Sequence, residues 1–225
     1  MSGTQTFNDK NQFQEQRGFR NPLAIRQTHL LGADEKRNVL KKADVLLIDM
    51  SGSTIDPIGY GDNRQKIIGI KESTTAFIGN LPATSFIAVF AFDGLHRLLY
   101  SMAPVGANKL QIIQQIQRLQ PGSTTAMENT LIASEKEFMS VPQDYTKRLF
   151  LLTDGIPDTD PREAAESIKQ KGVQLYTIGF GDGLQIDSNL LSEMASKDPS
   201  GKSLYFHFKD SKNLTGFMTR MSKRL

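Results

Sequence analysis

The 225-residue chain contains no cysteine, and this absence excludes several kinds of chemistry at once. A disulfide framework, a thiolate zinc site, an iron–sulfur cluster and a thiol nucleophile all need cysteine. Tryptophan is also absent, and the three histidines are scattered, with no pair at the spacing of a metal-binding motif. Any metal or catalytic site must therefore draw mainly on carboxylates and hydroxyls.

Long apolar runs are missing as well. No window approaches the roughly eighteen consecutive apolar residues that a membrane-spanning helix needs, so we expect no membrane attachment. The first twenty residues are polar and lack the apolar segment of a secretory signal. The sequence therefore predicts a cytoplasmic protein.

The charge is uneven along the chain. Net charge is +3 and the pI is about 9.0, which by themselves suggest an acidic partner. Residues 1–42 carry eight Lys or Arg against four Asp or Glu, and residues 200–225 carry six against one, so the middle of the chain is net acidic. A nucleic-acid-binding domain more often has a basic face on its folded body. We therefore interpret the basic ends as solvated and expect no nucleic-acid partner.

Two regions differ in pattern. Residues 1–42 form a predicted polar N-terminal extension, partly flexible, because its first half is rich in Gln and Asn and has few aliphatic side chains to bury. Residues 43–225 form a predicted globular domain, in which short apolar runs alternate with amphipathic segments.

The apolar runs predict buried strands, because they are short, rich in branched residues and bounded by turn signals. They lie at residues 45–48, 86–90, 149–152 and 173–178. Arg97–Tyr100 is close enough to the second run to form a hairpin through Asp93 and Gly94, and 204–208 predicts a last strand.

Helical periodicity fills the intervals. Apolar stripes fall in residues 67–81, 112–119, 127–138 and 214–225, and Asp160, Pro161 and Glu163 mark the start of a helix over 161–171 that Gly172 ends. Such alternation predicts an α/β fold, doubly wound, with a mostly parallel central sheet, one short antiparallel edge strand and helices on both faces.

Oxygen-bearing side chains follow the predicted strands at one edge of this sheet. Asp49-Met50-Ser51-Gly52-Ser53 follows the first strand, Thr153-Asp154-Gly155 follows the fourth, and 121–125 precedes a helix. We expect Asp49 at the solvent-facing end of its strand. Ligands bind beyond the carboxyl ends of strands in such folds, and oxygen-only ligands favour Mg²⁺ or Mn²⁺ over zinc or copper.

The order and positions of these three segments resemble those in von Willebrand factor A domains that have a metal-ion-dependent adhesion site. Because the chain lacks a secretory signal sequence, it is more similar to the intracellular bacterial members of that family. The resemblance implies five ligands to a Mg²⁺-type ion: Asp49, Ser51, Ser53, Thr124 and Asp154. A shift of one residue in the second loop would put Ser123 or Thr125 in place of Thr124. Met50 is not a ligand in the family and should point inward. The ion keeps a position open for an Asp or Glu side chain of a partner protein.

Three function classes follow from these residues. The first is a metal-dependent protein-interaction module, and the second is a scaffold whose metal site is not essential. The third, a magnesium-dependent phosphoryl-transfer or hydrolytic enzyme, is disfavoured because the chain has no phosphate-binding Gly-x-x-x-x-Gly-Lys-Ser/Thr loop. Nor do we expect a histidine or lysine near the site to act as a general base. The prediction is therefore an interaction module and not an enzyme.

Overall fold

The computed structural model describes residues 41–59, 61–183 and 186–223. The predicted N-terminal extension lies outside these residues except for its last two positions. Its boundary at residue 43 stays a prediction, although the first strand begins at Lys42.

Six strands of the described residues form one sheet, and two form a small ribbon. The strands are β1 (Lys42–Asp49), β2 (Pro57–Gly59), β3 (Asp62–Gln65), β4 (Phe86–Phe92), β5 (His96–Pro104), β6 (Thr146–Thr153), β7 (Gln174–Phe180) and β8 (Tyr205–Phe208). The sheet order is β5-β4-β1-β6-β7-β8, with β5 antiparallel to β4 and the other pairs parallel, while β2 and β3 pair separately.

Helices cover both faces of this sheet. They are α1 (Lys66–Asn80), α2 (Lys109–Gln117), α3 (Met127–Glu135), α4 (Arg162–Gln170), α5 (Ser188–Met194) and α6 (Ser211–Lys223). One apolar cluster joins the sheet to α1, α2 and α6, and a second joins it to α3, α4 and α5. The predicted α/β fold class is confirmed. No helix among the described residues has the length and apolar character needed to cross a bilayer.

The structure differs from the sequence predictions in its details. The antiparallel edge strand β5 has nine residues instead of the four predicted, so it is not short. Residues 136–140 continue α3 as a 3-10 segment instead of α-helix, shortly before Pro142. Helix α4 begins at Arg162, whose backbone N–H donates to Asp160 Oδ1. Helix α5 and the β2–β3 ribbon, which are short and lack a strong apolar period, were not predicted.

A buried ion pair fixes β1 against β6. Arg148 Nε and Nη2 donate to the two carboxylate oxygens of Asp44 at 2.7 and 2.8 Å, and both side chains are at most 5% exposed. With this register Ile48 lies beside Leu152, so the two strands end at the same edge of the sheet. The loops that follow them are therefore neighbours.

Candidate metal centre

Asp49 ends β1 and is fully buried, so the expectation that it faces solvent is wrong. Its Oδ1 accepts the backbone N–H of Ser51 at 2.8 Å, and its Oδ2 accepts the Thr153 hydroxyl at 2.5 Å. Thr153 closes the neighbouring strand β6, which is why it reaches across. The next residue, Met50, packs into the apolar core as expected.

The two serines of the first loop lie together and reach the third loop. Ser51 Oγ lies 3.1 Å from Ser53 Oγ, and Ser53 Oγ donates to Asp154 Oδ1 at 3.0 Å. A 3-10 turn over Gly52–Ile55 brings this about, and Thr54 Oγ1 holds it by donating to the Ser51 carbonyl at 2.8 Å. The structure thus places four of the five predicted residues side by side.

Backbone hydrogen bonds join the second loop to the first. Gly122 N–H donates to the Met50 carbonyl at 2.6 Å, and Gly52 N–H donates to the Ser123 carbonyl at 3.0 Å. Glycine is required at 122 because a Cβ there would lie 2.1 Å from Asp93 Oδ2, in the turn between β4 and β5. The close approach of Gly122 to Asp93 therefore fixes the position of the second loop relative to the β4–β5 turn.

Of the two threonines in this loop, Thr125 has its hydroxyl beside Gly155. It is 6% exposed, whereas Thr124 is exposed and has its Oγ1 3.0 Å from where a Cβ on Gly94 would lie. A Cβ on Gly155 would lie 3.5 Å from Thr125 Oγ1. The same point is 3.4 Å from Ser53 Oγ and 3.8 Å from Ser51 Oγ, so three hydroxyls surround the space that Gly155 leaves open.

Asp158 holds Thr125 in this position. Its Oδ2 accepts the Thr125 backbone N–H at 3.0 Å, and its own N–H donates to the Thr125 carbonyl at 3.1 Å. The second and third loops are therefore also joined by two hydrogen bonds, one of them to a side chain. All three loops line one open cleft, whose walls are formed by Ser51, Ser53, 123–125, Gly155, Ile156 and Asp158.

Two buried carboxylates, those of Asp49 and Asp154, lie close together at the site, and both have raised pKa values. Burial, followed by the charge of Asp154, raises the pKa of Asp49 to about 7. Burial also raises the pKa of Asp154, and the nearby ammonium group of Lys66 opposes that shift. A divalent cation fits this donor set, because it would relieve the repulsion between the carboxylates and accept hydroxyl oxygens as ligands.

Lys66 lies at the site, so the expectation that no lysine is near it is wrong. Its Nζ donates to Asp154 Oδ2 at 3.1 Å, and its side chain is 3% exposed. A sequence signal for it does exist: Lys66 begins α1 four residues before the buried Ile70, and therefore lies on the inward stripe of that helix. No such signal predicted the contacts of Thr153 and Asp158, since these join segments that are distant in sequence.

The fold and the site together define a class of protein: a doubly wound α/β domain with a cleft of hydroxyls and carboxylates above its central strands. The sequence profile of the von Willebrand factor type A domain matches residues 45–220. The chain therefore belongs to the von Willebrand factor type A domain family, whose members generally mediate protein–protein interaction and metal-dependent binding.

Solved structures agree on the fold. A von Willebrand factor type A protein from Catenulispora acidiphila has a TM-score of 0.67 and 22% identity, over 81% of this chain and 42% of that one. An aerotolerance-related membrane protein from Bacteroides fragilis, solved with multiple mutations to serines, has a TM-score of 0.66 and 12% identity, over 82% of this chain and all of that one.

The manganese-loaded TRAP protein of Plasmodium vivax is a third similar structure, with a TM-score of 0.61 and 20% identity over 81% of this chain and 74% of that one. The match to the Catenulispora protein covers less than half of that protein's length. No curated protein sequence matches it.

Proposed function

We propose that this domain holds one Mg²⁺ or Mn²⁺ ion and uses it to bind an Asp or Glu side chain of a partner protein. The observation that carries the proposal is the convergence of three hydroxyls on the space beside Gly155, next to two buried carboxylates. The residues that would hold the ion are Asp49, Ser51, Ser53, Thr125 and Asp154. Thr125 replaces Thr124 because its hydroxyl, like those of the two serines, lies beside Gly155.

The chain's own residues prepare this site. Asp49 is oriented by Ser51 N–H and Thr153, so its carboxylate cannot rotate freely. Ser53 already bridges Ser51 and Asp154 through its hydroxyl. When bound, the ion would supply a positive charge with a ligand position open to an anionic oxygen. Little rearrangement of the loops would be needed, which favours binding.

The surface around the cleft supports a protein as the partner. Ile55 and Ile156 are 51% and 59% exposed; Ile55 is two residues after Ser53, and Ile156 directly follows Gly155. Leu95, 75% exposed, follows Gly94, against which Thr124 lies. Exposed apolar side chains grouped around a polar cleft mark interaction surfaces on folded proteins. We infer a partner whose acidic residue is flanked by apolar ones, met in the cytoplasm without nucleic acid or membrane.

Isothermal titration with MnCl₂ tests the metal part of the proposal. Wild type should bind one Mn²⁺, and Thr125→Val should weaken binding at least about ten-fold because it removes a hydroxyl and keeps the shape. Thr124→Val is the matched control and should bind like wild type. Equal losses in both variants would contradict the choice of Thr125, and absence of Mn²⁺ binding by wild type would contradict the proposed function.

The carboxylate part needs a separate probe. Sodium acetate, compared with sodium chloride at equal ionic strength, should tighten Mn²⁺ binding by wild type, because the acid occupies the open ligand position. An interaction scaffold with a non-essential site would instead bind its partner equally well in EDTA. Mn²⁺ binding that acetate leaves unchanged would argue against a carboxylate-binding site.

A further inference from the structure

Lys66 places a positive charge inside the candidate metal centre. It begins α1, and its backbone N–H donates to the Asp56 carbonyl at 3.0 Å, which fixes where the side chain starts. Its ammonium group donates to Asp154 Oδ2 at 3.1 Å, while Asp154 Oδ1 accepts the Ser53 hydroxyl at 3.0 Å. Both carboxylate oxygens of Asp154 are thus engaged by donors of the protein itself.

The fold leaves room for this lysine at Gly181, just beyond the end of β7. A Cβ on Gly181 would lie 2.9 Å from Lys66 Cε, and the backbone there has a φ of +132°, which side-chain-bearing residues rarely adopt. Gly181 is therefore suited both to the turn and to the passage of the lysine stem. Lys66 is buried to 3% exposure along this path, so its position is built into the domain and is not that of a surface lysine.

The charge of the site changes because of it. Lys66 adds one positive charge beside the two buried carboxylates, Asp49 and Asp154, that would face a divalent ion. A positive neighbour repels a metal cation and attracts an anion, and both effects are strong where water is largely excluded. Lys66 should therefore weaken metal binding on its own and strengthen the binding of an acid to the loaded site.

We propose that Lys66 is a resident counter-cation that couples metal binding to the partner's carboxylate. Without the metal it stabilises the buried Asp154; with the metal it makes the loaded site more positive by one charge, which favours the partner's carboxylate. This inference rests on the proposed function, since it concerns the same ion. It adds a specificity determinant: the site favours metal and acid together over metal alone.

Lys66→Met tests the inference, because methionine keeps much of the length of the side chain and removes the charge. Lys71→Met is the matched control: it lies on the same helix, and its Nζ donates to the Gln117 carbonyl and not to Asp154. Mn²⁺ affinity is measured by isothermal titration in sodium chloride and in sodium acetate. Melting temperature is measured in EDTA and in saturating MnCl₂.

Lys66→Met should bind Mn²⁺ about ten-fold or more tightly than wild type in chloride, and acetate should enhance its binding less. In EDTA it should melt at a lower temperature than Lys71→Met, and Mn²⁺ should raise its melting temperature more than that of wild type.

The outcomes separate this inference from the proposed function. If wild type binds Mn²⁺ and Lys66→Met binds it with the same affinity and the same acetate effect, the role of Lys66 is refuted and the metal site stands. If neither protein binds Mn²⁺, both proposals fail. If Lys66→Met remains unfolded in saturating MnCl₂, the lysine is needed for packing instead of charge, and the inference is overturned.

Discussion

Asp49 should make the stability of the metal-free protein fall as the pH rises from about 4 to about 7. Its pKa in the folded protein is about 7, because of burial and the charge of Asp154, against an ordinary value of 3.8. Between these values the native state keeps a proton that the unfolded chain has released. The free energy of unfolding then drops by about 1.4 kcal/mol for each pH unit.

Over roughly three pH units this amounts to about 4 kcal/mol, a large fraction of the stability of a typical domain. The contribution of Asp49 is fully present below pH about 4 and fully lost above pH about 7. Saturating Mg²⁺ should reduce the loss, because the proposed site binds the deprotonated carboxylate and so stabilises the native state at neutral pH.

Urea unfolding in EDTA, at intervals from pH 4.5 to 7.5, measures this effect. Asp49→Asn is the reference, since the amide keeps the shape of the carboxylate and cannot titrate. The difference between the two proteins removes the contributions of other groups, such as Asp62 and Asp160, whose pKa values are lowered by neighbouring arginines. Parallel stability curves for wild type and Asp49→Asn would refute the reasoning.

Three further predictions concern other parts of the domain. Gly155→Ala should fold normally but weaken Mn²⁺ binding about ten-fold or more in a titration, because its methyl group would fill the space between the hydroxyls at ordinary contact distances. Asp44→Ala should lower the free energy of unfolding in urea by about 3–5 kcal/mol, because the Arg148 charge would stay buried without its partner; a loss below about 1 kcal/mol would contradict this. Gly122→Ala should lower the free energy of unfolding by about 1–3 kcal/mol in the same assay, because its Cβ would overlap the carboxylate of Asp93 in the β4–β5 turn. The control is Gly79→Ala, whose Cβ meets open space in α1 and which should raise the free energy of unfolding by about 0.5–1 kcal/mol. Similar effects of the two changes would show that the clash is absent.

The fold could be predicted from sequence because its signals are local and agree with one another. Strand β1 is a continuous apolar run, and α6 has an apolar stripe at the helical period. The length of strand β5 was underestimated, because most of its residues are exposed and its sequence has no continuous apolar run beyond Tyr100. Helix α5 has seven residues and depends on its Asp187 cap, so its pattern is too short to stand out.

The candidate site could be predicted only in part. Asp49, Ser51 and Ser53 share one short loop, so their spacing alone predicts convergence. The choice between Thr124 and Thr125 depends on a shift of one residue. The hydrogen bonds of Asp158 to Thr125, on which the proposed choice relies, are not revealed by any pattern within the loop.

Contacts between distant segments were beyond a local pattern. Lys66 and Asp154 are 88 positions apart, and their pairing requires both the helix register and the small residue at 181. The buried position of Asp49 likewise follows from the second loop, which covers the end of β1 through the hydrogen bond between Gly122 and Met50.

The central claim is that one divalent ion binds where the three loops meet. Anomalous scattering from crystals soaked in MnCl₂ tests it most directly, because the signal locates manganese without reference to any assumed ligand. A single strong peak is expected in contact with Ser51 Oγ and Ser53 Oγ, and it should be lost or greatly reduced in Asp49→Asn crystals treated in the same way. A peak confined to another part of the surface, or no peak beside these serines at saturating MnCl₂, would contradict it.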